Sequence, residues 1–154
     1  MDHVSAEVRS LMMSRIRGKD TDPEMRVRRY LHAAGLRYRL HVSALTGKPD
    51  LVFPRRRVCV FVHGCFWHGC PKCADGRRRP RSNQSYWLPK IQRNKDRDRL
   101  HARRLRATGW KRFVIWECET GDLKKLERLR TAILGGCSAA VSGPARKRVR
   151  TGSR

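Results

Sequence analysis

The chain has 154 residues, and its 37 Lys and Arg against 13 Asp and Glu give a formal net charge of +24. This length suits one domain that buries a core without disulfide bonds, and no run approaches the ~18 apolar residues of a membrane helix, so we expect no membrane partner. The charge implies a polyanion, either nucleic acid on which the protein acts or one that a basic structural protein, such as a ribosomal protein, neutralises.

The apolar patterning predicts a mixed α/β domain with a central sheet flanked by helices. A basic lead-in at 1–20, helical around 6–15, precedes elements in the order α-β-β-β-α-β-α. These are a helix over 21–35, strands over 36–40, 50–53 and 58–62, a helix over 85–108, a strand over 111–116 and a helix over 122–134. Thr21 and Glu24 fit a capping box, the second and third strands form a hairpin, and 64–84 is predicted to be a loop.

The two ends of the chain differ in character. Residues 138–154 combine small residues with five Lys and Arg, and we expect this segment to be a disordered basic tail that follows a folded domain at 1–137. Residues 1–20 contain no apolar run of a secretory signal, so the protein is expected in the cytosol. Disulfide bonds are rare there, and the six cysteines therefore indicate metal binding or catalysis.

Four of the cysteines predict a zinc site. Cys65, Cys70 and Cys73 lie in one loop rich in Gly and Pro, and Cys118 directly follows the last strand. Four thiolates suit tetrahedral zinc, and a closed four-ligand shell is structural rather than catalytic. The alternative is ordinary buried thiols, which is the interpretation given to Cys59 inside its strand. Cys137, near the tail, has no assigned role.

Asp50 opens a strand, and a basic turn joins that strand to a second one. This is the skeleton of a metal-dependent nuclease, in which the carboxylate holds Mg2+ against the scissile phosphate. Many such nucleases end the second strand in Glu-x-Lys, whereas this chain has Phe61-Val62-His63. His63 would then contact the metal through water, and His68 would be the general base. Taken alone, the Pro-Asp pair favours a turn residue, since Pro-Asp is common in turns.

The long helix carries polar groups in the middle of an apolar face. The residues that share this face are Trp87, Ile91, Asn94, Asp98, His101 and Leu105. A purely structural helix would have apolar residues at 94 and 98, so this face is predicted to border a site. Asp98 would orient His68 as the acid orients the base in a hydrolase triad, or it would form a local ion pair with an Arg on a solvated face. Glu24 is favoured near a helix start by the helix dipole alone.

Five segments together resemble a known family. They are residues 13–24, 47–50, 63–68, 86–98 and 116–118, and they span most of the chain apart from the tail. The most specific is His-Gly-Cys-Phe-Trp-His at 63–68. The sequence resembles the very-short-patch repair (Vsr) endonucleases, which nick DNA beside a T:G mismatch. The resemblance implies a restriction-endonuclease-like fold of the PD-(D/E)xK type, with catalytic Mg2+ and structural Zn2+.

The resemblance also implies roles for individual residues. The catalytic set would be Asp50, His63, His68, Asp98, Glu24 and Asn94. Asp50 and the main-chain oxygen of Val62 would hold Mg2+, His63 would contact metal-bound water, and His68 would act as the base with Asp98 behind it. Some family members have a His among their zinc ligands, whereas Cys70 and Cys73 here indicate an all-Cys site.

The same resemblance implies how DNA would be contacted. Phe66, Trp67 and Trp87 would wedge into the duplex at the mismatch, with Met13 approaching from the opposite groove. A wobble pair is weakly stacked, so inserting aromatic rings there costs less than at a matched pair; core packing is the alternative for one of Phe66 and Trp67. Residues 74–112 hold 14 Lys and Arg against 3 Asp, and the phosphates would be contacted by Arg77, Arg78 and Arg79.

The predicted function is a Mg2+-dependent endonuclease that nicks 5′ to the T of a T:G mismatch arising from deamination of 5-methylcytosine. Its partners would be mismatched duplex DNA and, functionally, a DNA cytosine methyltransferase and nick-resynthesis enzymes. The protein would be a monomer of the bacterial cytoplasm, associated with the nucleoid when bound to DNA. The alternatives are a noncatalytic zinc-stabilised nucleic-acid-binding module and a nuclease without a mismatch requirement, such as a restriction enzyme.

Overall fold

The structure is a computed structural model, and it describes residues 5–135. Its helices are α1 (Ala6–Ser14), α2 (Asp22–Ala33), α3 (Cys65–His68), α4 (Ala74–Arg77), α5 (Gln84–Ala107) and α6 (Leu123–Gly135). Its strands are β1 (Arg39–Leu40), β2 (Leu51–Phe53), β3 (Val58–His63) and β4 (Lys111–Trp116). Short 3-10 turns lie at Pro54–Arg56 and Glu117–Glu119. The tail predicted at 138–154 and Cys137 lie outside the described residues.

The four strands form one mixed sheet in the order β1-β2-β3-β4. β1 and β2 pair antiparallel, as do β2 and β3, whereas β3 and β4 run parallel with Val62 opposite Ile115 and His63 opposite Trp116. The predicted mixed α/β architecture and the hairpin of β2 and β3 are thus confirmed. Because β3 and β4 are parallel, the segments that follow them emerge at the same edge of the sheet.

Helices pack on both faces of the sheet. Val58 and Val60 of β3 belong to a buried cluster with residues of α2 and α6. Cys59 and Phe61, which alternate with them, belong to a second cluster with Leu105 of α5. The alternation follows from the two-residue period of a strand. It places α5 on one face of β3 and α2 with α6 on the other, and Cys59 is fully buried, as its interpretation as a small apolar residue requires.

Three local predictions differ from the structure. The first strand is only two residues long: Leu36 is buried in the core cluster next to the end of α2, and pairing with β2 begins only at Arg39. The predicted loop at 64–84 contains α3 and α4. Helix α2 begins where expected, but the capping box is wrong: Thr21 makes no side-chain bond to the helix backbone and instead donates to Glu24 at 3.4 Å. Among residues 5–135, no helix combines the length and apolar character needed to cross a membrane.

Candidate active site and metal centre

A cleft of about 780 Å3 lies between the end of β3, the start of α2 and one face of α5. Three elements form this cleft: β3 ends there, α2 begins there, and the polar positions of α5 face it. The residues predicted for catalysis all line this cleft, namely Glu24, Asp50, His63, His68, Asn94 and Asp98. Val62, Met13 and Trp67 also line it.

Asp50 lies largely buried just before β2. Its Oδ2 accepts a hydrogen bond from the Val62 N–H at 2.7 Å, which leaves Oδ1 without a hydrogen bond from the backbone of β3. Burial, together with the charge of Glu24, raises the pKa of Asp50 from 3.8 to about 6, against the lowering effect of the Val62 bond. A poorly solvated carboxylate with one free oxygen is suited to hold a divalent cation.

Two histidines stack inside the cleft. The rings of His63 and His68 lie 4.0 Å apart between centroids with an interplanar angle of 11°. Burial and the adjacent charge of His68 lower the pKa of His63 from 6.5 to about 3. His63 is therefore neutral at physiological pH and can accept a hydrogen bond from water or from a metal-bound water.

Asp98 on α5 binds the other histidine of the stack. Its Oδ2 lies 2.7 Å from Nδ1 of His68 and 4.0 Å from Nδ1 of His63. Burial raises the pKa of Asp98, but the hydrogen bond and charge of His68, with His63 and Arg112, outweigh it and leave that pKa below its ordinary value. An ionised Asp98 accepts from Nδ1–H of His68, so Nε2 of His68 is left as a proton acceptor. Within residues 5–135, the ion-pair partners of Asp98 are His68 and His63, and the alternative ion pair with an Arg is not present.

Asn94 and Glu24 make hydrogen bonds that hold the walls of the cleft together. Asn94 donates from Nδ2 to the main-chain oxygen of Trp67 at 3.0 Å, and this bond fastens α3 to α5. Glu24 is buried, and its Oε2 accepts from the backbone N–H of Asp20 at 3.0 Å and from Arg28 at 2.9 Å. Both residues thus have bonds within the protein, and Glu24 is held in an ion pair.

Sequence reasoning missed two residues of the cleft region. His41 has Nε2 at 2.9 Å from an Arg28 guanidinium nitrogen and Nδ1 at 4.0 Å from Oδ1 of Asp50. Arg28 lies among other basic residues of α2, and His41 lies in a turn with φ of 46°, where no periodicity marks it. The one available signal was the four-residue spacing from Glu24 to Arg28, which is that of a helical ion pair.

An aromatic cluster borders the cleft. The rings of Phe66, Trp67 and Trp87 lie 5.2–5.9 Å apart, and Tyr86 joins them at 5.0 Å from Trp87. The Lys90 amine lies 5.3–5.6 Å from the rings of Trp67, Tyr86 and Trp87. The first three rings are half-buried rather than part of either core cluster. A partly exposed group of rings is available for contact with a partner.

Exposed arginines lie in the chain between the two parts of the aromatic cluster. Arg77, Arg78 and Arg79 are all exposed, and Arg78 forms an ion pair with Asp75. A depression of about 580 Å3 joins Arg78 and Arg79 to Phe66 and Trp87. The basic loop and the rings thus form one continuous surface.

The four predicted zinc ligands come together. The sulfur atoms of Cys65, Cys70, Cys73 and Cys118 all lie within 4.8 Å of one another, and the Cys70–Cys118 distance is 3.9 Å. A tetrahedral zinc with Zn–S bonds near 2.3 Å requires sulfurs about 3.8 Å apart, so this set fits zinc. Three backbone N–H groups also point at the sulfurs at 3.4 Å, from Lys72, Gly76 and Cys118.

Three of the four cysteines and both stacked histidines lie in one short segment, residues 63–73. β3 ends at His63, and Cys65 begins α3, whose last residue is His68. Glu117, just after β4, accepts from the Cys65 N–H at 3.1 Å. The cluster therefore fixes α3, and with it His68, against the ends of the parallel strands.

Comparison with known proteins gives consistent matches. The family model described as DNA mismatch endonuclease Vsr matches residues 1–74. The type II nicking enzyme V.XorIIP of Xanthomonas oryzae pv. oryzae is 48% identical over 133 residues, which cover 86% of this chain and 96% of that protein. The type II nicking enzyme V.NmeAIP of Neisseria meningitidis is 42% identical over 118 residues, 77% of this chain and 83% of the relative. The DNA mismatch endonuclease Vsr of Escherichia coli strain K12 is 37% identical over 140 residues, 86% and 88% of the two chains.

Proposed function

Because the chain belongs to the Vsr family of DNA mismatch endonucleases, we propose that it nicks duplex DNA 5′ to the T of a T:G mismatch by Mg2+-dependent hydrolysis. Membership of the family makes it a DNA endonuclease. The observation that carries the finer proposal is the convergence of Asp50, His68 and Asp98 on one cleft bordered by half-exposed aromatic rings.

Asp50 and the main-chain oxygen of Val62 would hold Mg2+, with His63 in contact with its bound water. When bound, Mg2+ supplies charge stabilisation at the scissile phosphate. The buried, singly bonded carboxylate of Asp50 supports this assignment. The neutral ring of His63 supports its part as an acceptor for water.

His68 would be the general base. Asp98 holds Nδ1–H of His68, so Nε2 can take the proton from the water that attacks phosphorus. As the new phosphorus–oxygen bond forms, the bond to the leaving oxygen breaks and one strand is nicked. Glu24 and Asn94 would complete the water network around these groups.

The aromatic cluster would recognise the mismatch by deformation. Phe66, Trp67 and Trp87 would insert where the wobble pair stacks weakly, with Met13 on the opposite side. Arg77, Arg78 and Arg79 would bind phosphates and set the register without reading sequence. Such mismatches arise when 5-methylcytosine deaminates, so a DNA cytosine methyltransferase and nick-resynthesis enzymes are the functional partners. The protein would act as a monomer, with Zn2+ in the cysteine cluster in a structural role.

The test is a nicking assay with Mg2+ on matched duplexes and on T:G duplexes with varied flanking bases. Wild type is compared with Asp50→Ala and His68→Ala, and with His32→Ala as a control for an exposed histidine outside the cleft. We expect wild type and His32→Ala to nick only T:G duplexes, and the two cleft variants to bind DNA but lose nicking.

The other outcomes select the alternatives. Nicking of matched DNA by wild type would identify a nuclease without a mismatch requirement. Binding without nicking across all flanking sequences would identify a noncatalytic module. Retained nicking by His68→Ala would remove His68 from the mechanism while leaving the rest of the proposal intact.

A further inference from the structure

A buried guanidinium occupies the centre of a three-ligand cluster beside Asp50. Asp20, Glu24 and His41 each place one ligand atom within 4.8 Å of the others, a spacing that would let one cation contact all three. The cation found there is Arg28. Its two terminal nitrogens lie 2.6 Å from Asp20 Oδ1 and 2.9 Å from both Glu24 Oε2 and His41 Nε2.

The ion pair between Arg28 and Glu24 is buried and not on the surface. The side chains of Arg28 and Glu24 are only 8% and 5% exposed. The Nε of Arg28 is buried without a hydrogen-bond partner among the described residues. The guanidinium is therefore bound through its two terminal nitrogens. Removing Arg28 would leave the buried carboxylate of Glu24 without its counter-ion.

Arg28 also determines which ring nitrogen of His41 carries the hydrogen in the neutral form. An arginine only donates hydrogen bonds, so Nε2 of His41 accepts from it, and a neutral His41 carries its hydrogen on Nδ1. That Nδ1 lies 4.0 Å from Oδ1 of Asp50, the oxygen left free by the Val62 bond. The cluster and the candidate Mg2+ ligand thus meet at His41.

We propose that Arg28 is a positioning residue whose guanidinium fills a second cation position of the cleft. A divalent ion is thereby restricted to Asp50, and removal of the guanidinium opens a divalent-metal site on Asp20, Glu24 and His41. The restriction to Asp50 rests on the proposed function. The site opened by removing Arg28 depends only on the cluster itself.

The chemistry of the opened site favours a first-row transition metal. Two carboxylates and one imidazole suit Mn2+, and the cysteine cluster does not compete strongly for Mn2+ because thiolates prefer softer ions. Mn2+ is therefore the probe, used on protein already loaded with Zn2+.

The experiment counts Mn2+ ions bound per chain, by the electron paramagnetic resonance signal of free Mn2+, and follows the melting temperature with and without Mn2+. Wild type is compared with Arg28→Ala, Arg28→Met and Arg28→Lys. We expect both neutral variants to bind one Mn2+ more than wild type and to be stabilised more by it. Arg28→Lys keeps a cation in place and should bind the same number as wild type.

Two further variants locate the additional ion. Adding His41→Ala to Arg28→Ala should weaken the extra site about tenfold or more, since even groups outside a metal's ligand shell contribute about 10–100-fold to affinity. Adding Asp50→Asn should leave it in place. Because nicking is never measured, a failure of the proposed endonuclease activity would not affect this result.

Equal Mn2+ counts in wild type and both neutral variants would overturn the proposal. The same conclusion follows if neither Arg28→Ala nor Arg28→Met folds in the presence of Mn2+, because an ion at that position would restore the balance of charge. An extra ion whose affinity is unchanged by His41→Ala would also reject the cluster as its site.

Discussion

Burial of Asp50 favours the proposed metal binding but lowers the stability of the metal-free protein. Its carboxylate is 17% exposed and accepts one strong bond from the Val62 N–H. One donor does not replace the water that burial removes, so ionisation of Asp50 costs folding free energy when no cation is bound. The metal-free protein therefore carries a group that is useful only when a cation is present.

Replacing Asp50 by Asn should stabilise the metal-free protein above pH 6. The pKa of Asp50 is raised from 3.8 to about 6 in the folded state, so the folded state binds more protons than the unfolded chain across that interval. Stability is lost as pH rises through it. We expect Asp50→Asn to raise the free energy of unfolding by about 1–3 kcal/mol at pH 8 and by less than about 1 kcal/mol at pH 4. Urea unfolding without Mg2+ and with Zn2+ retained measures both values.

Asp96→Asn is the matched control, since Asp96 lies exposed on α5 and its side chain is 58% exposed. It should change stability little at either pH. A gain for Asp50→Asn that is equal at pH 4 and pH 8 would contradict a raised pKa. Adding Mg2+ at pH 8 should stabilise wild type and leave Asp50→Asn unchanged.

At the residue scale, the sequence predicts groups that follow a pattern and misses those that do not. Asn94 and Asp98 were predicted because they interrupt an apolar stripe, and the structure brings Asp98 onto His68. Arg28 and His41 interrupt nothing. Their contact depends on a turn that brings the end of β1 back over α2, and no spacing in the sequence encodes that approach.

At the element scale, the sequence predicts the bounds of the long helix α5 and misses the short helices α3 and α4. Helix α5 was predicted over 85–108 and spans Gln84–Ala107, in spite of Pro89 within it. Its apolar stripe extends over about five turns, so one unfavourable residue does not obscure it. Helices α3 and α4 have four residues each, too few to show a period. They form because the chain must wind around the cysteines.

Gly76 in α4 is required by this winding. A Cβ there would lie 2.2 Å from the main-chain oxygen of Cys70 and 2.4 Å from its Cβ. We expect Gly76→Ala to push α4 away from Cys70, weaken zinc binding and destabilise the protein by about 1–3 kcal/mol. Zinc release to a chelating dye and the melting temperature measure the two effects.

Gly121→Ala is the control, because a Cβ at Gly121 meets nothing within 4 Å. It should keep zinc and melt close to wild type. Zinc retention by Gly76→Ala equal to that of Gly121→Ala would show that α4 can move without opening the cluster.

At the scale of the whole molecule, basic residues lie on both faces of the sheet. The net charge of +24 includes the exposed arginines of the loop after α4 and those of α5. Helix α6 lies on the opposite face of the sheet from α5. A duplex bound at the cleft would contact the first group and leave α6 free.

Binding to a T:G duplex should therefore weaken steeply with salt. Each phosphate contact contributes a slope of about −0.9 in log affinity against log salt concentration. We expect changing Arg77, Arg78 and Arg79 together to Ala to reduce the slope by about 3. Fluorescence anisotropy over a salt series measures it. The control changes Lys124 and Arg128 of α6 to Ala, and a comparable loss of slope there would move the DNA surface to the other face.

The parallel pairing of β3 with β4 has a consequence for synthesis of the protein. Cys65 and Cys118 are 53 residues apart in the chain, and the edge of the sheet that carries the histidines is completed only when residues 111–116 have been added. Pairing between such distant segments comes late in folding. A nascent chain that ends before β4 lacks both the parallel partner strand of β3 and the fourth sulfur. The candidate nuclease centre should therefore not assemble until residues 111–118 have been added.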